Sequence, residues 1–143
     1  MKTKAIQLIA VFFLGTSMIF AQDMPESQVP SVVLNKFKAE FPKASDVEWE
    51  LKGQEYNVEF EIGWFSDYEA WFTSTGQLLR YTEEISKGDL PTAVTDAVSK
   101  QYVDFTIDDA KKLVENGVVS YSVEIEKSND ERKLHFSENG KAL

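Results

Sequence analysis

Val29-Pro30-Ser31-Val32-Val33-Leu34-Asn35-Lys36-Phe37-Lys38-Ala39-Glu40-Phe41 has a counterpart in Leu90-Pro91-Thr92-Ala93-Val94-Thr95-Asp96-Ala97-Val98-Ser99-Lys100-Gln101-Tyr102, at a constant offset of 61 residues. Each stretch begins apolar-Pro and continues with apolar residues at helical spacing: Val32, Val33, Phe37 and Phe41 in the first, Val94, Ala97, Val98 and Tyr102 in the second. Proline suits the first helical position, because its missing N–H would have had no partner there. The apolar positions then fall on one face, so each stretch predicts an amphipathic helix.

The echo continues downstream. Gly53 with Tyr56-Asn57-Val58-Glu59-Phe60 is matched by Gly117 with Tyr121-Ser122-Val123-Glu124-Ile125, and Phe72 with Gly76 by Phe136 with Gly140. The offsets there are 64 or 65, which places three or four extra residues near Val103 to Ile107. Repeats of this size point to duplicated supersecondary units.

Behind each helix the period changes from helical to alternating, the mark of half-buried strands. Val47, Trp49 and Leu51 are expected to face one way and Asp46, Glu48 and Glu50 the other, followed by a turn at Lys52-Gly53-Gln54. Tyr56, Val58, Phe60 and Ile62 face inward on the next strand and Asn57, Glu59 and Glu61 outward. After a turn near Gly63 to Asp67, Tyr68, Ala70 and Phe72 face inward, and Thr75-Gly76 leads to a last strand near Leu78 to Glu83. In the second copy Tyr121, Val123, Ile125, Leu134 and Phe136 face inward. Residues 106–116 carry two signals. Ile107, Ala110, Leu113 and Val114 have helical spacing behind Thr106-Ile107-Asp108-Asp109, whereas the repeat calls for a strand, which is the reading adopted.

The fold class is therefore α+β: two tandem repeats, each an N-terminal helix packed on an antiparallel β-sheet, with the other sheet face open to solvent. The expected organisation is a signal peptide over 1–21, a short flexible N-terminus over 22–28, a first repeat over 29–86 and a second over 87–143, the two packed as one body. A unit of this size buries only about 60% of the surface its unfolded chain exposes, so the halves should support each other.

Met1 to Ala21 reads as a secretory signal. Lys2 and Lys4 precede an apolar run that is short for a spanning helix, and Ala21 offers a small residue for cleavage before Gln22. The chain has no cysteine, which excludes disulfides and a lipid-modified cysteine. Of its 15 Lys and Arg, Lys2 and Lys4 leave with the signal while all 24 Asp and Glu stay, so a formal charge of −9 becomes −11. That field disfavours nucleic acid and anionic lipid and keeps the protein soluble. The expected location is periplasmic or secreted, as a monomer with no membrane contact after cleavage.

Phe41-Pro42 at the helix end, Val47-Glu48-Trp49, Tyr56 to Phe60, and Phe72-x-x-x-Gly76-x-Leu78-Leu79 together resemble the PepSY-like, β-lactamase-inhibitor-like family of exported bacterial proteins. The resemblance spans nearly all of the chain after the signal and recurs in shorter form from Leu90 to Leu143. It implies a fold similar to the tandem helix-on-sheet architecture of the β-lactamase inhibitor protein, with inhibition or modulation of an exported enzyme as the role. The signal ending Phe20-Ala21-Gln22 also looks like those of Bacteroidetes, which implies a periplasmic home. The matching residues are inward aromatics and turn glycines, and such scaffold positions do not fix function.

Chemistry-bearing motifs are scarce. His135, the single histidine, lies between Leu134 and Phe136 and so faces outward; no Gly-x-Ser-x-Gly elbow, phosphate-cradling glycine loop or His-x-x-x-His pair accompanies it. Glu59 with Glu61 and Glu124 with Glu126 share strand faces, but general acid catalysis needs a desolvated carboxyl, which a wet face does not supply. Asp104, Asp108 and Asp109 lack the ligand alternation of a calcium loop. The chain thus reads as a non-catalytic binding protein with no cofactor or metal.

The two equivalent hairpin tips differ: Gly63-Trp64-Phe65-Ser66-Asp67-Tyr68 is aromatic and Ser128-Asn129-Asp130-Glu131 is polar. Trp64, Phe65, Tyr68 and the outward Trp71, with Glu59 and Glu61 nearby, are the candidate contacts for a protein partner, expected to be an exported enzyme. Two placements of Trp64 and Phe65 remain open, an exposed tip or a fold-back that seals the junction between the halves. The alternative function is a small-ligand or cation binder using the acidic face of Glu59, Glu61 and Glu69.

Overall fold

The computed structural model describes residues 22–64 and 66–143; the signal peptide expected over 1–21, its cleavage point and Phe65 lie outside the described residues. Helix α1 spans Ser31–Glu40 and α2 spans Thr92–Gln101. Each proline stands one residue earlier than expected, as the N-cap: Pro30 and Pro91 have φ of −56° and −55°. Their carbonyls accept the first helical bonds, from Val33 and Leu34 and from Val94 and Thr95. Both helices also end alike. Phe41 and Tyr102 each donate an N–H to the carbonyl one turn back, on Phe37 and Val98, at 2.8 Å.

Eight strands follow one another in chain order through a single antiparallel sheet: β1 (Gln22–Met24), β2 (Ala44–Lys52), β3 (Glu55–Ile62), β4 (Ser66–Phe72), β5 (Leu78–Glu84), β6 (Thr106–Glu115), β7 (Val118–Lys127) and β8 (Asp130–Ser137). Directly paired residues project to the same face. The row Ala70, Tyr81, Val114, Val119 crosses from β4 to β7. Tyr81 packs against the cluster under α1 and Val119 against the cluster under α2, so both helices lie on one face of the sheet, and among the described residues no helix covers the other.

Under α1 the core is aromatic. Phe37 meets Trp49 at 5.2 Å and Phe60 at 5.1 Å, both edge to face, and Phe72 at 6.3 Å. Under α2 it is largely aliphatic, built from Val94, Val98, Val123 and Ile125 with Phe136. The inward residues expected on β3 and β4 lie on this side: Val58, Phe60, Ala70 and Phe72 are buried, and Tyr56, Ile62 and Tyr68 pack at the cluster's edge.

Three expectations need correction. Residues 22–28 are not a flexible tail: β1 pairs with Trp49, Glu50 and Leu51, a 3-10 turn follows over Glu26–Gln28, and Met24 packs on the core. The free edge of β2 provides the backbone partners that hold this segment. Val47, expected to share the inward face with Trp49, is not buried with it. A bulge between Ser45 and Glu48, with Asp46 at φ +49°, breaks the alternation and leaves Val47 exposed. Pro30 and Pro91, as noted, precede rather than open their helices.

Residues 106–115 form a strand, as the repeat required. The helical spacing has a local cause. A bulge at Asp108 shifts the alternation by one, so Ile107 and Ala110, three apart, both pair with inward residues, Ile125 and Val123. Pairing with β5 and β7 occupies the backbone on both sides.

Two glycines lie under the helix N-termini. Gly76 and Gly140 have φ of +83° and +79°; a Cβ on Gly76 would come within 2.9 Å of the Val32 carbonyl oxygen, and one on Gly140 would collide with that of Ala93. Gly53, at φ +68°, has open space around it. Alanine at any of the three incurs the left-handed penalty of about 1–2 kcal/mol. At Gly140 it must also displace helix backbone, an overpacking cost of about 1–3 kcal/mol. Gly140→Ala is therefore expected to lose clearly more stability than Gly53→Ala in urea unfolding; equal losses would mean that α2 can lift from the turn freely.

Candidate functional site

The helix-free face is read from the same register. One row runs Glu50, Asn57, Trp71, Arg80, Glu115; the next runs Glu48, Glu59, Glu69, Thr82, Leu113. Glu61 stands opposite Asp67, and Glu84 opposite Lys111. Glu48, Glu59, Glu69 and Thr82 of the second row, with Asp46, Glu61, Asp67 and Glu84, border a shallow depression of about 450 Å³, with seven carboxylates and Lys111 as the cation among its described lining residues.

Directly opposed like charges destabilise a sheet, and the row Glu48–Glu59–Glu69 places three carboxylates in line. Lys52 offsets part of this. Its Nζ lies 3.1 Å from both Glu50 and Glu69 and 3.9 Å from Glu59. Burial acts to lower its pKa, but hydrogen bonds to Glu69 and Glu50 outweigh it and hold the ammonium above its ordinary 10.5. Glu84 is in the opposite situation. Burial first, then the neighbouring charge of Asp109, raise its pKa above the ordinary carboxyl value, and its side chain hydrogen-bonds Asp109 and Asp67.

Asn57, expected outward on a wet face, is on that face and fully buried. Its Nδ2 donates to Glu69 Oε1 at 3.0 Å and to the Ala70 carbonyl at 3.4 Å, while Oδ1 has no partner. Trp71, half-buried, is its cross-strand neighbour, and the Arg80 guanidinium sits 4.5 Å from the Trp71 ring centre. Arg80 is held in turn by Glu55 at 2.8 Å. Alternation alone treats Asn57 like Glu59 and Glu61. The signal that could have marked it is that it is uncharged and opposite a tryptophan.

The sequence candidates separate. Trp64, beside Gly63 at the β3–β4 turn, is 90% exposed, so of its two placements the exposed one holds. Phe65 is outside the described residues. Tyr68 turns to the helix side, stacked on Phe60 at 5.3 Å with its hydroxyl bonded to Glu83; burial and that bond push its pKa well above the ordinary 10.0. Its ring belongs to the core edge rather than to an exposed tip, because its inward register position outweighs its closeness to the turn. Glu59 and Glu61 do face outward, as does Trp71. Trp71 lies a row away from Glu59 and two from Glu61, with Asn57 directly opposite.

In the second half, the positions equivalent to Glu48, Glu59 and Glu69 hold Asp109, Glu124 and Lys133. Lys133 Nζ bonds Glu124 at 2.8 Å and lowers its carboxyl pKa. His135, opposite Ser122, is exposed, and Asp104 pairs with Lys127 at 3.2 Å. Among the described residues no group of three or more His, Asp or Glu is arranged to hold a metal ion, and no helix is long and apolar enough to cross a membrane.

The raised pKa of Glu84 has a sign that can be checked. Between the unfolded carboxyl value and the higher folded one the native state binds more protons, so stability falls as pH rises through that window. Glu84→Gln is expected to melt above wild type at pH 7, with the gap closing as pH falls below about 4.5. A gap that persists unchanged at pH 4 would show that proton linkage is not its source.

Comparison with known proteins agrees with this architecture. No curated protein sequence matches the chain. A BLIP-like protein of Bacteroides fragilis has 26% identity and a TM-score of 0.69, over 79% of this chain and 82% of that one. A DUF2874 family protein of Bacteroides uniformis has 19% identity and a TM-score of 0.72, over 80% and 86%. One of the "putative periplasmic proteins" of Bacteroides eggerthii has 18% and 0.73, also over 80% and 86%. At such low identity the last two speak for the fold alone. The sequence profile described as "Putative beta-lactamase-inhibitor-like, PepSY-like" matches twice, over residues 18–80 and 54–143. With the matches covering residues 18–143, the chain belongs to the PepSY-like, β-lactamase-inhibitor-like family.

Proposed function

We propose that this chain is an exported, monomeric, non-catalytic binding protein that docks a protein partner, an exported enzyme, on the helix-free face of its sheet and on the rim formed by the β3–β4 turn. Its two halves are tandem repeats of one helix-on-sheet unit. The double family match, the equal helix caps and the paired glycines under the helices support the duplication. The family description and the BLIP-like relative support binding of an enzyme.

The observation that carries the reading is Trp64. A tryptophan left 90% exposed gains nothing for the fold, and the equivalent β7–β8 turn, at Ser128-Asn129, manages without an aromatic. Large aromatics at such positions are what protein interfaces use as anchors. Trp71, already braced by Arg80 and Glu55, adds a second anchor that is pre-organised on the same sheet.

Trp64→Ala is expected to weaken capture of the partner by about 2 kcal/mol, roughly 30-fold. Stability should stay within about 0.5 kcal/mol of wild type. The test is a pull-down from periplasmic extract of the producing cell with the mature chain and the variant as baits, followed by titration of whatever protein the wild type holds. Equal capture by both baits would remove Trp64 from the interface.

A further inference from the structure

We propose that the part of the partner seated on the helix-free face is a basic segment, a loop or extended stretch of Lys and Arg whose cations lie over Glu48, Glu59, Glu61, Asp67 and Glu69. This rests on the protein-binding reading above and names the chemistry of its partner.

The first argument is that the face is bare. Both helices pack on the opposite side, and among the described residues no element covers the rows from β2 to β5. The second is that its charge is not what the fold demands. Glu48, Glu59 and Glu69 stand directly opposite one another on three strands, and Glu61 stands opposite Asp67. Such pairs work against the sheet.

The second half supplies an internal control. Its strands β6, β7 and β8 pair as β2, β3 and β4 do, and at the position of Glu69 it carries Lys133, which neutralises Glu124 at 2.8 Å. A mixed-charge face is therefore compatible with this scaffold and with solubility. The excess acid is larger in the half that also bears Trp64 and Trp71: seven carboxylates and Lys111 line its depression, whereas over β7 and β8, where Glu126 stands opposite Glu131, four carboxylates are accompanied by Arg132 and Lys133. A general need for negative charge would be met equally by either half.

The geometry favours a chain of cations over a single ion. Strands are about 4.8 Å apart, so the row from Glu48 to Glu69 spans about 10 Å, and Glu61 with Asp67 lies in a further row. Acids spread in this way do not converge on one point, in keeping with the lack of a metal-holding group among the described residues. They do match several Lys and Arg side chains carried on one backbone. Complementary charge of this kind sets the choice of partner and speeds encounter.

The probe is an unstructured ten-residue Lys/Arg peptide, titrated calorimetrically into the full mature chain at low and at physiological salt. The first variant is Glu48→Gln/Glu59→Gln/Asp67→Asn, three exposed positions whose neutralisation relieves repulsion and leaves the fold intact. The second, with the same change of charge, is Glu124→Gln/Glu126→Gln/Glu131→Gln on the other half. The expected result is binding that weakens with salt, falls at least tenfold in the first variant and stays within twofold in the second. Equal losses in both variants would mean diffuse attraction and overturn the proposal, as would no binding by wild type. Calcium binding that disappears only in the first variant would also overturn it, by assigning the face to an ion. These outcomes are independent of Trp64. If the partner from the pull-down is lost on Trp64→Ala but held normally by the first variant, the basic-segment proposal falls and the protein-binding reading stands.

Discussion

The arrangement depends on Phe37. Its ring enters the sheet edge-on to Trp49, Phe60 and Phe72, three residues on three different strands, and thereby ties α1 to β2, β3 and β4 at once. A contact of this kind adds about 0.5–1.5 kcal/mol per aromatic pair beyond the area it buries. It also decides which face is left for function. With α1 committed to one side and α2 committed to the same side through Val94 and Val98, no helix among the described residues covers the other side of the eight-stranded sheet.

What the sequence disclosed follows from how locally each signal is made. The helices were legible because proline and a four-residue apolar spacing are complete within a dozen residues, and Phe37 and Val98 fell where that spacing put them. The inward faces of β3, β4, β7 and β8 were legible because an unbroken strand alternates without exception. The failures lie at bulges. At Asp46 the alternation breaks and Val47 is left exposed; at Asp108 it breaks again, and Ile107 with Ala110 imitates a helix. A bulge is fixed by the partner strand, so a single strand's sequence does not announce it.

The candidate site was legible only in part, for a related reason. Outward positions on β3 and β4 were identified correctly, but alternation says nothing about which outward residues are covered. Asn57 is buried because Trp71 and Glu69 on the next strand close over it, a fact of register rather than of residue type. Tyr68 belongs to the core edge because Phe60 is its cross-strand neighbour, although it stands only two residues after Ser66, where β4 begins. Trp64, by contrast, is left 90% exposed, and the aromatic tip was visible in the sequence as an unexplained contrast between two halves.

That contrast extends to energetics. Among the described residues the aromatic pairs of the first half, centred on Phe37, Phe41 and Phe60, have no equivalent under α2, where Tyr102 with Phe105 is the aromatic contact and the core is largely aliphatic. Opposed like charges cost a few tenths of a kcal/mol to about 1 kcal/mol per pair, comparable to what a single aromatic contact returns. The half with the reinforced core is thus the half able to carry an acidic row that Lys52 neutralises only in part and an exposed tryptophan, while its partner, more lightly packed, pairs Glu124 with Lys133 and Asp104 with Lys127. The continuous sheet permits this division: the second half completes it and holds the first in place through β5 and β6, leaving the first free to carry surface features that reduce its own stability.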